Sequence, residues 1–332
     1  MNQHLEQLTD KVIVTRWSDG KGEQAEDVVA CEARVSLWLN GELVVNLMCL
    51  PAELDALAVG FLVSEGILAG LKDLDSIRVD ERSGRIECRG HVDDEALAAR
   101  RENRTLDAGC GGGDSCVGLI ELAECWRIDT AVRFDVAALL SAAMRFNSGS
   151  PLHAATGCVH TAALCDSSGT EILRSDDVGR HNAFDKVMGL ALLRGVDVCD
   201  KVTLTTARIS ADTTSKAIRH RVPVIGSRAA PTSRALWLAQ RYGITVIGFL
   251  RGSRMNVYTR PERITGLEAS PDPTRGVSHD LLHRVRQAAL DGGLSCESAR
   301  ILTRETGASL AEVGAACRVA GISIRQCELG CF

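Results

Sequence analysis

Val202-Thr203-Leu204-Thr205-Thr206, Val222-Pro223-Val224-Ile225-Gly226 and Ile244-Thr245-Val246-Ile247-Gly248-Phe249-Leu250 are three short β-branched runs, and the stretches between them carry helical spacing. Helices are predicted over about 212–220 and 233–242, with Gly243 placed as the C-terminal stop of the second. Strands alternating with helices build parallel βαβ units, so this half of the chain predicts an α/β fold with a layered sheet. Two further strands are predicted over 158–165 and 171–178, joined by a turn through Asp166-Ser167-Ser168-Gly169, with a helix after them over 182–194. A helix over 134–146 precedes the set.

Outward from this centre the pattern changes on both sides. Residues 28–49 alternate apolar and polar about Asn40-Gly41, a strong hairpin signal, and a second hairpin is predicted around Ser83-Gly84. Pro51 is placed to open a helix over 51–62, with acids in its first turn. After the linker Ser270-Pro271-Asp272-Pro273-Thr274-Arg275-Gly276 the chain reads as three or four short helices without a strand. The expected division is a small α+β domain over 1–118 ending in a cysteine loop, an α/β domain over 119–268 and a helical domain over 277–332.

Composition narrows the function classes. The chain has 332 residues, 45% hydrophobic and 24% charged, with net charge −5, and clustered surplus cations for a nucleic-acid partner are missing. The start Met1-Asn2-Gln3-His4-Leu5-Glu6 has no apolar signal-peptide core. The apolar stretch 54–71 is broken by Asp55, Ser64 and Glu65, which predicts a buried helix and no membrane association. Thirteen irregularly spaced cysteines suit reduced thiols in the cytoplasm better than a disulfide framework. Cys31, Cys49, Cys88, Cys158, Cys165 and Cys199 read as core fillers.

Two stretches carry candidate chemistry. Ala108-Gly109-Cys110-Gly111-Gly112-Gly113-Asp114-Ser115-Cys116 sets a thiol among glycines, which remove steric cover and suit a tether that visits two partners. Asp176-Asp177-Val178-Gly179-Arg180-His181-Asn182-Ala183-Phe184-Asp185-Lys186 is a polar strand-to-helix turn of the kind that holds an anion. Arg180, Arg208, Arg228, Arg251 and Arg254 each follow a predicted strand, and ligands of open parallel sheets bind at the carboxyl ends of the strands. Together they predict a polyanionic, phosphate-bearing ligand. His181 is the stronger histidine candidate; His160 reads as a hydrogen-bonding residue beside a strand.

At these residues the chain resembles the formate dehydrogenase accessory protein (FdhD) family. The likeness covers about 25–260 and rests on Thr156-Gly157-Cys158-Val159-His160, the run 177–186, Ser227-Arg228-Ala229-Ala230-Pro231-Thr232, 248–259 and 57–66. It implies a sulfurtransferase that takes persulfide sulfur from a cysteine desulfurase and passes it to the bis-guanine-dinucleotide molybdenum cofactor, so activating formate dehydrogenase. It also implies a cytidine-deaminase-like main domain and a homodimer. The family's Cys-x-x-Cys corresponds to Cys110 and Cys116, here with three extra residues between them; Cys110 matches the persulfide position. The family's cofactor-binding stretch corresponds to Phe249, Leu250, Arg251, Gly252, Ser253 and Arg254, the last arginine loop reached above; Arg180, His181 and Arg228 join them as candidates.

Two alternatives stand beside this reading. A cofactor-binding chaperone without sulfur chemistry would share the anion site. A zinc deaminase needs His-x-Glu and Pro-Cys-x-x-Cys, but the chain has His160-Thr161-Ala162 and no such cysteine pair, so no intrinsic metal is expected. The last domain has a helix-turn-helix cadence over 309–323, yet residues 271–332 hold seven Arg against seven Asp plus Glu, which disfavours DNA. Its Cys327 and Cys331 suit either packing on Cys317 or an accessory thiol pair.

Overall fold

Asp19 and Gly20 take positive φ, 51° and 80°, and turn β1 (Thr9–Ser18) into β2 (Lys21–Ala30) as a long antiparallel hairpin. The structure is a computed structural model and describes residues 3–92, 124–267, 277–289 and 293–325. This first hairpin is absent from the sequence expectations because Val12, Ile13 and Val14 run together and β2 carries Glu23, Glu26 and Asp27, which hides the alternation. Asn40 and Gly41, at φ 52° and 85°, turn β3 (Ala33–Leu39) into β4 (Glu42–Cys49) as their sequence predicts. With β5 (Leu74–Asp80) and β6 (Arg85–Gly90) they form a four-stranded sheet in the order β4-β3-β6-β5.

Helix α1 (Leu54–Ser64) is buried at every residue but Asp55, the mark of a helix enclosed on all sides. It starts at Leu54 and not at Pro51. Leu50 is held at both backbone atoms, its N–H donating to Asp177 at 3.1 Å and its carbonyl accepting from Lys186 at 3.0 Å. Glu53 is left-handed at φ 52° and accepts from the Ser175 hydroxyl. These ties hold the chain in a turn until Leu54.

Further along, β7 (Phe134–Asp135) leads into α2 (Val136–Asn147), whose N-cap Asp135 accepts from the N–H groups of Ala137 and Ala138. A short helix α3 (Pro151–Thr156) precedes β8 (His160–Cys165) and β9 (Glu171–Asp177). Then come α4 (Arg180–Leu193), β10 (Val202–Thr205), α5 (Ala211–Arg219), β11 (Val224–Ser227), α6 (Ser233–Tyr242), β12 (Thr245–Arg251) and β13 (Arg254–Val257). β14 (Ile264–Thr265) pairs with β7.

The central sheet has the order β13-β12-β11-β10-β8-β9. β10, β11 and β12 are parallel, with α5 and α6 as crossovers, and Gly243 at φ 78° ends α6 as expected. The sheet as a whole is mixed, because β8 runs antiparallel to β9 and to β10, and β13 antiparallel to β12. The turn between β8 and β9 is closed by Asp166, whose carboxylate accepts from the N–H groups of Ser168 and Thr170; so short a connection can only reverse the strand. Helices α4, α5 and α6 cover one face and α2 the other.

Two glycines join the sheets. A Cβ on Gly60 of α1 would lie 1.8 Å from the Asp185 carbonyl oxygen, and one on Gly189 of α4 would lie 1.9 Å from that of Ala56. The two helix backbones therefore touch directly. On its other side α1 packs Leu57, Phe61 and Leu62 against the four-stranded sheet.

Contacts divide the chain into two compact units, Met1–Gly266 and Leu267–Phe332. In the second, α7 (His279–Ala288), α8 (Cys296–Thr306) and α9 (Leu310–Ala320) enclose a core of Leu281, Val285, Leu302, Val313 and Cys317. β15 (Gly293–Ser295) and β16 (Ser323–Arg325) pair in parallel beside them. The expectation of no strand fails here because three-residue strands carry no readable period. Among the described residues no helix is long and apolar enough to cross a membrane.

Candidate functional site

β9, β10, β11 and β12 all end on one rim of the central sheet, and β8, running the other way, starts there. His160 is the first residue of β8, and its Nδ1 lies 3.2 Å from the Thr206 hydroxyl just past β10. Thr206 also accepts from the Thr161 N–H at 3.1 Å. Burial lowers the pKa of His160, and the Arg180 and Arg228 charges lower it further, against a smaller opposite pull from Asp177. Both effects favour the neutral imidazole.

Beside it opens a cavity of about 580 Å³ lined by Asn147, Thr206, Arg228, Ala229, Ala230, Phe249 and Arg251. Its walls are locked together. The Ser227 hydroxyl donates to the Ala207 carbonyl at 2.6 Å and accepts from the Ala229 N–H at 2.9 Å. Phe249 N–H donates to the Ala229 carbonyl at 3.1 Å, and Asn147 Nδ2 donates to the Leu250 carbonyl at 2.9 Å.

β12 bulges between Gly248 and Arg251, and Phe249 within the bulge is left-handed at φ 50°. A bulge re-aims side chains near the end of a strand. A Cβ on Gly248 would lie 2.9 Å from the Tyr258 ring and 3.0 Å from Pro231, so only glycine lets the loops close this tightly. The Arg251 guanidinium carbon lies 5.8 Å from the centre of the Phe249 ring, and Arg254 stands opposite Arg251 across the β12–β13 pair. Gly252 and Ser253 form the turn between them, Gly252 at φ 59°. Exposed cations, an aromatic face and close backbone suit a phosphate-bearing ligand with a planar base.

The run 176–186 divides between scaffold and rim. Asp177 and Lys186 are fully buried and paired at 2.7 Å. Asp177 also accepts from Gly179 N–H at 2.8 Å and Asn182 Nδ2 at 3.0 Å. Asp185 is buried with Lys216 at 2.6 Å and Ser64 at 2.6 Å. Arg180 and His181 stand at the rim end of α4, where His181 Nε2 lies 3.1 Å from Asp212 Oδ2 in the first turn of α5. Sequence reading passes over Thr206, Asn147 and Asp212. Thr206 alone had a signal, its place at the end of a predicted strand.

Arg180, Arg228 and Arg251 are therefore brought to one rim, while Arg208 is exposed and does not line the cavity. Cys110 and Cys116 lie outside the described residues, as do Cys327 and Cys331. Burial pushes the thiols of Cys49, Cys88 and Cys165 up to about 12, which leaves them protonated and inert. Cys158 and Cys199, expected in the core, are exposed: Cys158 precedes the strand it was assigned to, and Cys199 lies in the connection between α4 and β10. Among the described residues no group of three His, Cys, Asp or Glu side chains could hold a metal ion.

A family model for the FdhD/NarQ family matches residues 30–265 and stops short of the second unit. A sulfur carrier protein FdhD from Wolinella succinogenes is 36% identical over 267 residues, covering 79% of this chain and 91% of the relative. A protein of the same name from Bacillus subtilis is 34% identical over 262 residues, covering 77% and 99% respectively. The crystal structure of a protein assigned as a formate dehydrogenase accessory protein from Desulfotalea psychrophila is similar with a TM-score of 0.63 and 28% identity, covering 77% of this chain and 99% of that one.

Proposed function

The chain belongs to the FdhD/NarQ family, and from that membership we propose that it is a cytoplasmic sulfur carrier serving a formate dehydrogenase. In this reading the Cys110 thiolate attacks the terminal sulfur of a cysteine desulfurase persulfide. The desulfurase thiolate leaves, and Cys110 carries the sulfur to the bis-guanine-dinucleotide molybdenum cofactor, the acceptor substrate. Cys116 is the second thiol of the same glycine-rich stretch and relays or resolves the persulfide. The protein works as a homodimer.

The observation that carries the reading is the rim cavity. Its Phe249–Arg251 wall coincides with the stretch that the family resemblance assigns to the cofactor, and Arg228 faces it from a separate loop. Arg228, Arg251 and Arg254 hold the guanine-nucleotide phosphates, with Arg180 behind them. Phe249, Leu250, Gly252 and Ser253 shape the loop, and His181 orients the ligand from the end of α4. The strand order, a β8–β9 hairpin beside three parallel strands, supports a cytidine-deaminase-like layering. Deaminase chemistry is disfavoured because Ala162 stands where the proton-shuttling Glu would be.

Incubation with a cysteine desulfurase and cysteine, followed by mass spectrometry, should add one sulfur atom to Cys110. The Cys110→Ala chain should stay folded, accept no sulfur and fail to activate formate dehydrogenase. Full activation by that variant, without a persulfide, would favour a cofactor-binding chaperone instead.

A further inference from the structure

At the opposite end of α5 from Asp212, a second cation is placed for binding. Arg219 is the last residue of that helix and lines a separate cavity of about 420 Å³. Its guanidinium lies against Gly66, where a Cβ would stand 2.1 Å from Nη1 and 2.4 Å from Cζ. Gly66 is also left-handed, at φ 70°, a conformation that favours glycine, and its lack of a side chain leaves the guanidinium room to lie there. The Trp126 ring centre is 5.8 Å from the guanidinium carbon.

Arg219 has no carboxylate partner among the described residues. Asp73 lines the same cavity, but its carboxylate is engaged by the N–H groups of Ala69 at 3.0 Å and Gly70 at 3.2 Å. Burial lowers the Arg219 pKa, and among the described residues no acid offsets it. A guanidinium remains charged even so. The helix C-terminus supplies only a partial negative charge, which an arginine extended into solvent would meet as well. Desolvating a cation in a cavity makes sense when an anion completes it.

We propose that Arg219, Gly66 and Trp126 form a carboxylate-binding pocket, distinct from the arginine rim. The planar fork of Arg219 takes the carboxylate in a bidentate grip. Val63, Ile67, Leu68 and Val92 provide an apolar wall for a short aliphatic body. The volume falls in the range of small-ligand sites. The carboxylate comes from a free short-chain acid or from the C-terminal residue of a polypeptide; both present the same chemistry to the fork.

Trp126 reports occupancy directly. Titrating the full chain with 3-methylbutanoate and with N-acetylleucine should change its fluorescence, whereas N-acetylleucinamide should not. Preference for N-acetylleucine identifies a polypeptide terminus, and preference for 3-methylbutanoate a free acid. The response should vanish in Trp126→Phe, weaken about tenfold in Arg219→Lys and be lost in Arg219→Met. As a check that needs no variant, either acid should slow phenylglyoxal modification of Arg219 in the unaltered protein, read by mass spectrometry. Equal binding of the amide, equal binding by a folded Arg219→Met chain, or no response and no protection with either acid overturns the proposal. None of these outcomes bears on the sulfur-carrier reading, which is tested by the persulfide on Cys110.

Discussion

Arg251 ends β12 on the far side of a bulge, so its direction is set by the backbone of Phe249 and the turn at Gly252. We expect Arg251→Ala to weaken GDP binding about ten- to a hundredfold, the loss of one charge-assisted contact, in calorimetry on the full chain; unchanged affinity would remove Arg251 from the site. His220 shows a different residue-scale effect. It is buried 3.0 Å from the Ser64 hydroxyl, and burial, then the Lys216 charge, lowers its pKa from 6.5 to about 3. The unfolded chain binds this proton below 6.5, while the folded chain refuses it until about 3. His220 therefore leaves stability whole above 6.5 and takes it away as pH falls toward 3. Asp185 acts with the opposite sign, since burial raises its pKa and lets the folded state keep a proton longer. Denaturation midpoints across this window should fall with pH, and His220→Gln should flatten the fall. An unchanged slope in that variant would assign the acid sensitivity elsewhere.

At the scale of elements, the crossing of α1 and α4 depends on two glycines that give the sequence no visible signal. Each looks like an ordinary helix interior glycine, a position that costs roughly 0.5–1 kcal/mol against alanine. Here the sign reverses, because a methyl at Gly60 or Gly189 would overlap a carbonyl of the other helix. Gly60→Ala and Gly189→Ala should each destabilise the protein by about 1–3 kcal/mol or more. The double variant should lose less than the sum, because the first methyl already separates the helices. Urea denaturation checks both; alanine that stabilises would mean the helices are not in contact. The hairpin at Asn40-Gly41, the helix stop at Gly243 and the parallel strands β10–β12 were legible because each rests on a local pattern. The start of α1 was not, because Leu50 is fixed by Asp177 and Lys186 from distant sequence. The same reason hides the buried half of the run 176–186: that Asp185 lies inside depends on Lys216 and Ser64, which no local period can announce.

For the whole molecule, the sequence reading names arginines that the fold gathers at one rim, but not the full lining of the cavity there. Arginines after strands could be found from topology, whereas Thr206, just past β10, and Asn147, the last residue of α2, come together only in space. The prolines after residue 270 predict a linker, and contacts divide the chain at Gly266 and Leu267. The hydrophobic clusters respect that boundary. The four clusters of the first unit contain no residue beyond Ile264, and the cluster of the second contains none before Val277. The matched family span likewise ends at 265. Cores that share no side chain can fold separately. A fragment of residues 1–266 should therefore unfold in one cooperative transition and bind GDP with the affinity of the full chain. Calorimetric scans should show that transition at the same temperature in both proteins, with any further transition of the full chain belonging to the second unit. A fragment that fails to fold, or folds but loses GDP, would mean that the helical unit helps to build the rim.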